Sequence, residues 1–186
     1  VSTTDVVHLA SSDANAALPA DAALIAGSST LSVTLKTAGS HTFTASDVTN
    51  GAISSNTSAS VTVNPGLLSK LQLLVPGETA APGTFSGKTG SPTARTAGTS
   101  FNITVRGVDA YWNLVSAPDL VSLASSDPYA TLPPNTALVA GTTTLSVTLR
   151  TAGSSTLTAS DLTFPSITAS TSPSIVVNAG AFTKLQ

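Results

Sequence analysis

The strongest constraint on the fold of this chain is an internal repeat with an offset of 114 residues. Aligned with itself at that offset, the sequence pairs residues 1–72 with residues 115–186 without a gap, and 42 of the 72 pairs are identical. The best-matched block reads TLSVTLKTAGSHTFTASD at 30–47 and TLSVTLRTAGSSTLTASD at 144–161. Self-similarity at a fixed period indicates a duplicated structural unit. The 186 residues therefore contain parts of at least two similar domains.

Apolar and polar residues alternate within each copy, as in a β-strand with one buried face. The pattern holds over 145–150 and over 101–106, and no segment sustains the 3.6-residue period of a helix. The sequence thus predicts an all-β fold with strands near 70–75, 100–109, 119–125, 143–150, 154–160 and 173–178. The corresponding strands of the first copy are expected near 5–11, 29–36, 40–46 and 59–64. The predicted core of the second copy contains Leu145, Val147, Leu149, Leu157, Phe101, Ile103 and Val105.

A Thr-Ala-Gly triplet separates the two central strands in each copy, at 37–39 and 151–153. Glycine accepts the positive φ that tight hairpin turns require. We therefore expect each eighteen-residue block to form a β-hairpin with Gly39 or Gly153 in its turn.

Composition excludes several classes of partner. The chain has 7 basic and 9 acidic residues and a net charge of −2, so it lacks the basic surface that nucleic acids or anionic membranes attract. It has no cysteine, which excludes thiol catalysis and disulfides. No stretch approaches the 18 consecutive apolar residues of a membrane span. We expect no nucleic-acid partner, no membrane insertion and no cofactor.

The second copy carries the features of a known group of domains: TAGTSFNITVRGVDAYWNLV, SSDPYATLP, TLSVTLRTAGSSTLTASD and SIVVNAG. These motifs resemble bacterial Ig-like tandem repeats of long secreted or surface-anchored proteins, and the resemblance covers essentially the whole chain. It implies an immunoglobulin-like antiparallel β-sandwich, an extracellular or cell-surface location, and a role as a spacer or adhesive module. The chain departs from the family's DAYGN motif at Trp112, which occupies the glycine position, and in the long Gly- and Pro-rich segment 76–99.

The family pattern sets the expected domain boundaries. One complete repeat spans 67–180, residues 181–186 begin the next, and residues 1–66 form the C-terminal part of a preceding repeat. That part lacks the counterpart of 70–114, so its core should be exposed. Its partners should be neighbouring copies of the repeat within a longer array, or alternatively other chains that supply the missing strands and form a polymer.

Acidic residues are the principal candidates for a site. Asp127 and Asp161 recur as Asp13 and Asp47, and Asp109 with Asn113 could add oxygen ligands for calcium. Single aspartates at strand ends are also typical of turns in which the carboxylate accepts backbone N–H groups. The turn role is the favoured interpretation, with no metal bound.

Aromatic and histidine residues are weaker candidates. Tyr111 and Trp112 could form a platform for stacking a glycan, or Trp112 could fill a core or interdomain gap. His8 and His41 are replaced by serine in the second copy and are expected to point to solvent. Without a reactive constellation, the sequence predicts no enzyme. It favours a structural spacer, with a carbohydrate- or surface-binding adhesin module as the alternative.

The joints between repeats are short. About six residues connect the last strand of one copy to the first strand of the next, and they include apolar residues at 67–68 and 181–182. Because such a linker spans at most roughly 20 Å, we expect an array of these repeats to behave as a semi-rigid rod.

Overall fold

The computed structural model describes residues 4–182, and every regular element in that range is a β-strand. The chain divides into unit 1, Val1–Pro65, and unit 2, Gly66–Gln186. Since each unit contains antiparallel sheets and no helix, the all-β prediction is confirmed.

The described part of unit 1, residues 4–65, contains six strands in two small sheets. They are β1 (Val6–Ser11), β2 (Ala22–Ala23), β3 (Gly39–His41), β4 (Phe43–Asp47), β5 (Asn56–Thr57) and β6 (Val61–Val63). One sheet has the order β2-β1-β4-β5, and β3 pairs with β6 in the other.

Residues 66–182 of unit 2 contain twelve strands. They are β7 (Lys70–Leu74), β8 (Glu78–Ala80), β9 (Lys88–Gly90), β10 (Arg95–Thr96), β11 (Ser100–Val108), β12 (Leu120–Ser125), β13 (Thr136–Ala137), β14 (Thr142–Thr148), β15 (Gly153–Ser155), β16 (Leu157–Asp161), β17 (Ser170–Thr171) and β18 (Ile175–Asn178). The strands β12, β13 and β15 to β18 of this unit begin 114 residues after β1 to β6.

The strands of unit 2 form an immunoglobulin-like sandwich. One layer has the order β14-β11-β7. The other combines β13-β12-β16-β17 with β10-β18-β15, because β15 and β16 are consecutive and separated only by Thr156. The main pairings are antiparallel, and β10 lies parallel to β18. Unit 2 thus has the two facing layers of the predicted sandwich.

The core of unit 2 lies between these layers. Its buried residues are Leu71, Leu73, Val75, Phe101, Ile103, Val105, Val121, Leu138, Leu145, Val147, Leu149, Leu157, Ala159, Ile175 and Val177. All seven residues predicted for the core are among them, because alternate positions of a paired strand face the same side.

The predicted strand at 29–36 is wrong. In unit 2 the equivalent strand β14 pairs with β11 along its whole length, from Thr142 opposite Arg106 to Thr148 opposite Ser100. Unit 1 has no counterpart of β11 among its described residues, so 29–36 makes only an isolated bridge between Ala17 and Thr34. Both copies carry the same apolar pattern, but only in unit 2 does this segment have a strand to pair with.

The predicted central hairpin is also wrong. Strand β14 pairs with β11, whereas β15 pairs with β18 and β16 with β12, so the Thr-Ala-Gly segment connects opposite layers. Gly153 and Gly39 do have positive φ, of 133° and 141°, but the turn at Gly153 crosses from one layer of unit 2 to the other. A local pattern identified the strands, and the contacts that pair them are distant in sequence.

The two histidines have different environments. His8 is exposed and lies 2.7 Å from Asp21, in agreement with the prediction. His41 is buried, and its Nε2 lies 2.8 Å from the carbonyl oxygen of Thr37, so the prediction that it points to solvent is wrong. It occupies the place of Ser155, which is also buried.

Candidate functional site

Asp109 organises the turn that follows β11. Its Oδ1 accepts backbone N–H groups from Tyr111 at 2.8 Å and Asn113 at 2.9 Å. Its Oδ2 accepts the backbone N–H of Gly66 at 2.8 Å and the side-chain amide of Asn113 at 3.0 Å. Burial raises the pKa of Asp109, but these hydrogen bonds outweigh it and hold the pKa below its usual value. Four donors thus surround the carboxylate that could have served a cation.

Trp112 is the fourth residue of this turn, which begins at Asp109, and it has a φ of 68°. A positive φ explains why a glycine is expected there, since bulky residues rarely adopt it. The strain is offset by contacts: the indole Nε1 donates to the carbonyl of Phe85 at 3.2 Å, and the Lys70 Nζ lies 3.5 Å from the ring centroid. A Cβ placed on Gly87 would come within 2.1 Å of the ring, so the ring lies directly against that glycine.

The inserted segment 76–94 therefore packs on the lone tryptophan. It contains the hairpin formed by β8 and β9, with Glu78 opposite Gly90. Buried Gln72 donates its Nε2 to the carbonyl of Gly87 at 2.7 Å, and Arg106 donates to the Gln72 Oε1 at 2.8 Å. An ion pair of 2.7 Å joins Lys88 to Glu78, whose side chain is only 1% exposed. Sequence reasoning missed this network, because its partners are separated by 10 to 34 residues.

The contacts of Trp112 limit its use in the glycan-stacking platform that the sequence suggested for Tyr111 and Trp112. Tyr111 is exposed, whereas Trp112 is half-buried and contacts both Lys70 and Gly87. A sugar stacking over the ring face that Lys70 covers would have to displace its ammonium group. Tyr111 and Trp112 do not present a pair of open aromatic faces.

Asp127 fixes the crossing between the layers. Its Oδ2 accepts the backbone N–H groups of Arg150 at 2.7 Å and Thr151 at 3.0 Å. Its Oδ1 accepts the Thr151 hydroxyl at 2.7 Å and the backbone N–H of Tyr129 at 3.1 Å. Burial raises the pKa of Asp127, but the hydrogen bonds prevail and lower it to about 2. This carboxylate turns the chain at the end of β14.

Unit 1 repeats this arrangement around Asp13. Its carboxylate accepts the backbone N–H groups of Lys36 at 2.8 Å, Thr37 at 3.0 Å and Asn15 at 3.0 Å. The Thr37 hydroxyl adds a fourth bond at 2.7 Å. The pKa of Asp13 is raised by burial and lowered by these bonds, with the lowering dominant, to about 2. Both copies therefore keep the acid for the same turn.

Asp161 caps the turn after β16. Its Oδ1 accepts the backbone N–H groups of Thr163 at 2.8 Å and Phe164 at 2.9 Å, and Asp47 makes the same bonds to Thr49 and Asn50. The Oδ2 atoms of Asp161 and Asp119 are buried without a hydrogen-bond partner. Burial and the neighbouring charge of Asp161 raise the pKa of Asp119. Asp119 was not a sequence candidate, although its recurrence as Asp5 was a signal.

Within residues 4–182, no three His, Cys, Asp or Glu side chains come together in a way that could hold a metal ion. Asp109 contacts Asn113 within one turn, and Asp161 lies beside Asp119 at the paired ends of β12 and β16. In the same range there is no helix long and apolar enough to cross a membrane. The site residues named from the sequence thus lie in separate turns.

No family model matches the chain, and no curated protein matches its sequence. Among solved structures, the chain is similar to domains 1–6 of the surface layer protein SbsC, with a TM-score of 0.41, 18% identity and coverage of 94% of this chain and 20% of that one. It is also similar to SbsC domains 4 and 5, with a TM-score of 0.38, 17% identity and coverage of 97% and 74%. The chain is similar as well to the D0-D1 domain of intimin, with a TM-score of 0.41, 14% identity and coverage of 96% of this chain and 83% of that one. The chain thus spans a fifth of the length of the first of these structures.

Proposed function

We propose that this chain is a non-catalytic spacer module of a long extracellular repeat protein, a stalk, fibre or surface coat. The observation that carries the proposal is that the recurring aspartates Asp13 and Asp127 both accept hydrogen bonds from a turn. Asp13 and Asp127 are each saturated by four hydrogen bonds from their own unit, and the same bonds recur at an offset of 114 residues. These bonds stabilise the same turn in each copy, and they occupy both carboxylate oxygens of Asp13 and of Asp127.

Exposed apolar residues at both ends of unit 2 support the proposal that it is one of a series of repeats. Leu67 is 90% exposed and Phe182 is 81% exposed, so both apolar side chains lack cover within their own unit. Neighbouring repeats that packed over these residues would restrict the joints without adding charge, in keeping with the rod expected from the sequence. The resemblance of the motifs to secreted and surface-anchored repeats supports the extracellular location.

Small-angle scattering on a chain of three tandem copies of residues 67–180 tests the proposal. A spacer should give a maximum dimension near three domain lengths, and this dimension should change little between low and high salt. A matched chain with Leu67 changed to serine in every copy should be more flexible if this residue holds the joints. A compact particle from the parent chain would contradict the spacer function.

A further inference from the structure

Asn50 and Gly51 form a pair whose side-chain and backbone groups can react with each other. The pair lies in the turn that follows β4, and it is the single Asn-Gly sequence in the chain. Both residues are exposed. Because glycine has no Cβ, its backbone nitrogen can approach the side-chain amide of the preceding asparagine without hindrance. An exposed Asn-Gly pair is therefore a candidate for an intramolecular reaction.

Hydrogen bonds define the conformation of this turn. The Oδ1 of Asp47 accepts the backbone N–H groups of Thr49 and Asn50, both at 2.8 Å. The Oδ1 of Asn50 accepts the backbone N–H of Ala52 at 3.2 Å, which is the arrangement of an Asx-turn. A side chain bonded two residues along the backbone lies over the intervening peptide. The side-chain amide of Asn50 is thus held next to the backbone nitrogen of Gly51.

The reacting atoms are prepared for attack within this turn. The N–H of Gly51 has no hydrogen-bond partner among residues 4–182, so no bond must break before its nitrogen attacks. The Cγ of Asn50 is the electrophile, and the N–H of Ala52 can stabilise the negative charge that develops on Oδ1. Since Asn50 is exposed, ammonia can leave into solvent. Reacting groups held in contact lose less entropy on reaching the transition state.

Unit 2 has the same turn without this chemistry. The N–H of Ile167 donates to the carbonyl of Phe164 at 2.9 Å, as the N–H of Ile53 donates to the carbonyl of Asn50 at 3.0 Å. Phe164 and Pro165 stand at the positions of the pair, and both are exposed. Exposure of the turn is therefore a property of both copies. Phenylalanine has no amide and proline has no N–H, so only the turn of unit 1 can react.

We propose that Asn50 is a site of spontaneous deamidation through Gly51. The nitrogen of Gly51 loses its proton to hydroxide and forms a bond to the Cγ of Asn50. The bond from Cγ to Nδ2 breaks, and Nδ2 takes a proton from water and leaves as ammonia. Water then opens the cyclic succinimide at either carbonyl, which gives an aspartyl or an isoaspartyl residue at position 50.

The reaction changes the turn in which it occurs. Both products carry a new negative charge close to Asp47, whose carboxylate accepts the N–H of residue 50, and like charges at this distance are unfavourable. The isoaspartyl product also adds a methylene to the backbone inside the turn. Unit 1 therefore undergoes a slow, irreversible change that unit 2 does not share. This modification is independent of the spacer function, because it depends on the turn alone.

Incubation of the folded 186-residue chain in neutral and in mildly alkaline buffer tests the proposal. The tryptic peptide of residues 37–70 contains both Asn50 and Asn56, and mass spectrometry with fragmentation locates any conversion of amide to acid. Asn56 is also exposed, but the β-branched Thr57 follows it and hinders attack. We expect Asn50 to convert at least about tenfold faster than Asn56. The conversion should accelerate as the pH rises, because the attacking nitrogen must lose its proton.

A variant of the chain identifies the attacking group. Gly51→Ala should slow the conversion of Asn50 by at least about tenfold, because the added Cβ hinders the attacking nitrogen. No atom lies within 4 Å of a Cβ built at this position, so the variant should keep the turn. Ser55→Ala, at another exposed position of unit 1, is the matched control and should convert as the parent does. Absence of conversion at Asn50, equal conversion at Asn56, or an unchanged rate in Gly51→Ala would overturn the proposal.

Discussion

At the residue scale, the same side chain type is placed in opposite electrostatic environments. Asp127 is surrounded by four donors, which stabilise its charge. Asp119 has a buried oxygen without a donor and a second carboxyl beside it, which disfavour its charge. The sequence could predict turn roles, because Asp at a strand end has a local partner. It could not predict the pair of Asp119 with Asp161, which lie 42 positions apart and meet only when β12 pairs with β16.

This contrast predicts a pH dependence of opposite sign for two asparagine variants. The pKa of Asp119 is higher in the folded chain than in the unfolded one, so its ionisation costs stability as the pH rises above about 4. Asp119→Asn should therefore increase the free energy of unfolding at pH 7 and match the parent below about pH 4. Urea unfolding monitored by the single tryptophan, Trp112, measures this in unit 2.

Asp127→Asn provides the matched comparison. The pKa of Asp127 is lowered to about 2, so its contribution is present above the unfolded value of 3.8 and is lost as the pH falls through about 2. The variant should be less stable than the parent at pH 7, by roughly 3 kcal/mol for a charge with several donors. The difference in free energy of unfolding between the parent and the variant should become smaller as the pH falls towards about 2. A destabilised Asp119→Asn variant at pH 7 would contradict the assignment of its raised pKa.

At the element scale, long strands were predictable and their pairing was not. The predicted strand at 100–109 ends within one residue of β11, because a strand of nine residues is long enough to show a clear alternation. Two-residue strands such as β10 and β17 have no period to detect. The hairpin of β8 and β9 lies in a segment rich in glycine and proline, and it is held by Trp112 and Gln72 from other parts of unit 2. That contact depends on the tertiary fold.

Two glycine variants isolate the contact between the insertion and the tryptophan. Gly87 and Gly98 both have positive φ, of 72° and 81°, but only at Gly87 would a Cβ meet the indole ring. Gly98→Ala should cost about 1 kcal/mol from backbone strain and leave the emission of Trp112 unchanged. Gly87→Ala should lower the free energy of unfolding by more than Gly98→Ala does. It should also shift the emission of Trp112 to longer wavelength, because the displaced ring becomes exposed to water. Equal emission spectra would show that the insertion can move without disturbing the ring.

At the scale of the whole molecule, near-identical sequences reach different degrees of burial. Val147 is 1% exposed in unit 2, whereas its counterpart Val33 is only half-buried, although both stand in the sequence TLSVTL. Every buried hydrophobic residue of the core in the described range belongs to unit 2. The apolar residues of unit 1 are thus less buried than their counterparts in unit 2. A strand forms where the chain provides a partner for it.

Paired substitutions test this asymmetry. Val147→Asp should unfold unit 2, because an unpaired charge in the core costs several kcal/mol. Val33→Asp should leave the unfolding of unit 2 unchanged and disturb unit 1 much less. Circular dichroism with the Trp112 emission distinguishes the two. A cooperative loss of structure of similar size in both variants would mean that residues 30–35 are packed as fully as β14.

The parallel alignment of β10 with β18 and of Lys70 with Thr168 determines how unit 2 carries tension. If a module is pulled by its two ends, strands near the start and the end of the unit slide along each other. Parallel neighbours are then loaded in shear, so that the bonds at Leu71, Thr168 and Ala97 share the force and do not open one at a time. A chain of such modules would resist stretching up to a threshold at which one unit gives way, and its neighbours would stay folded.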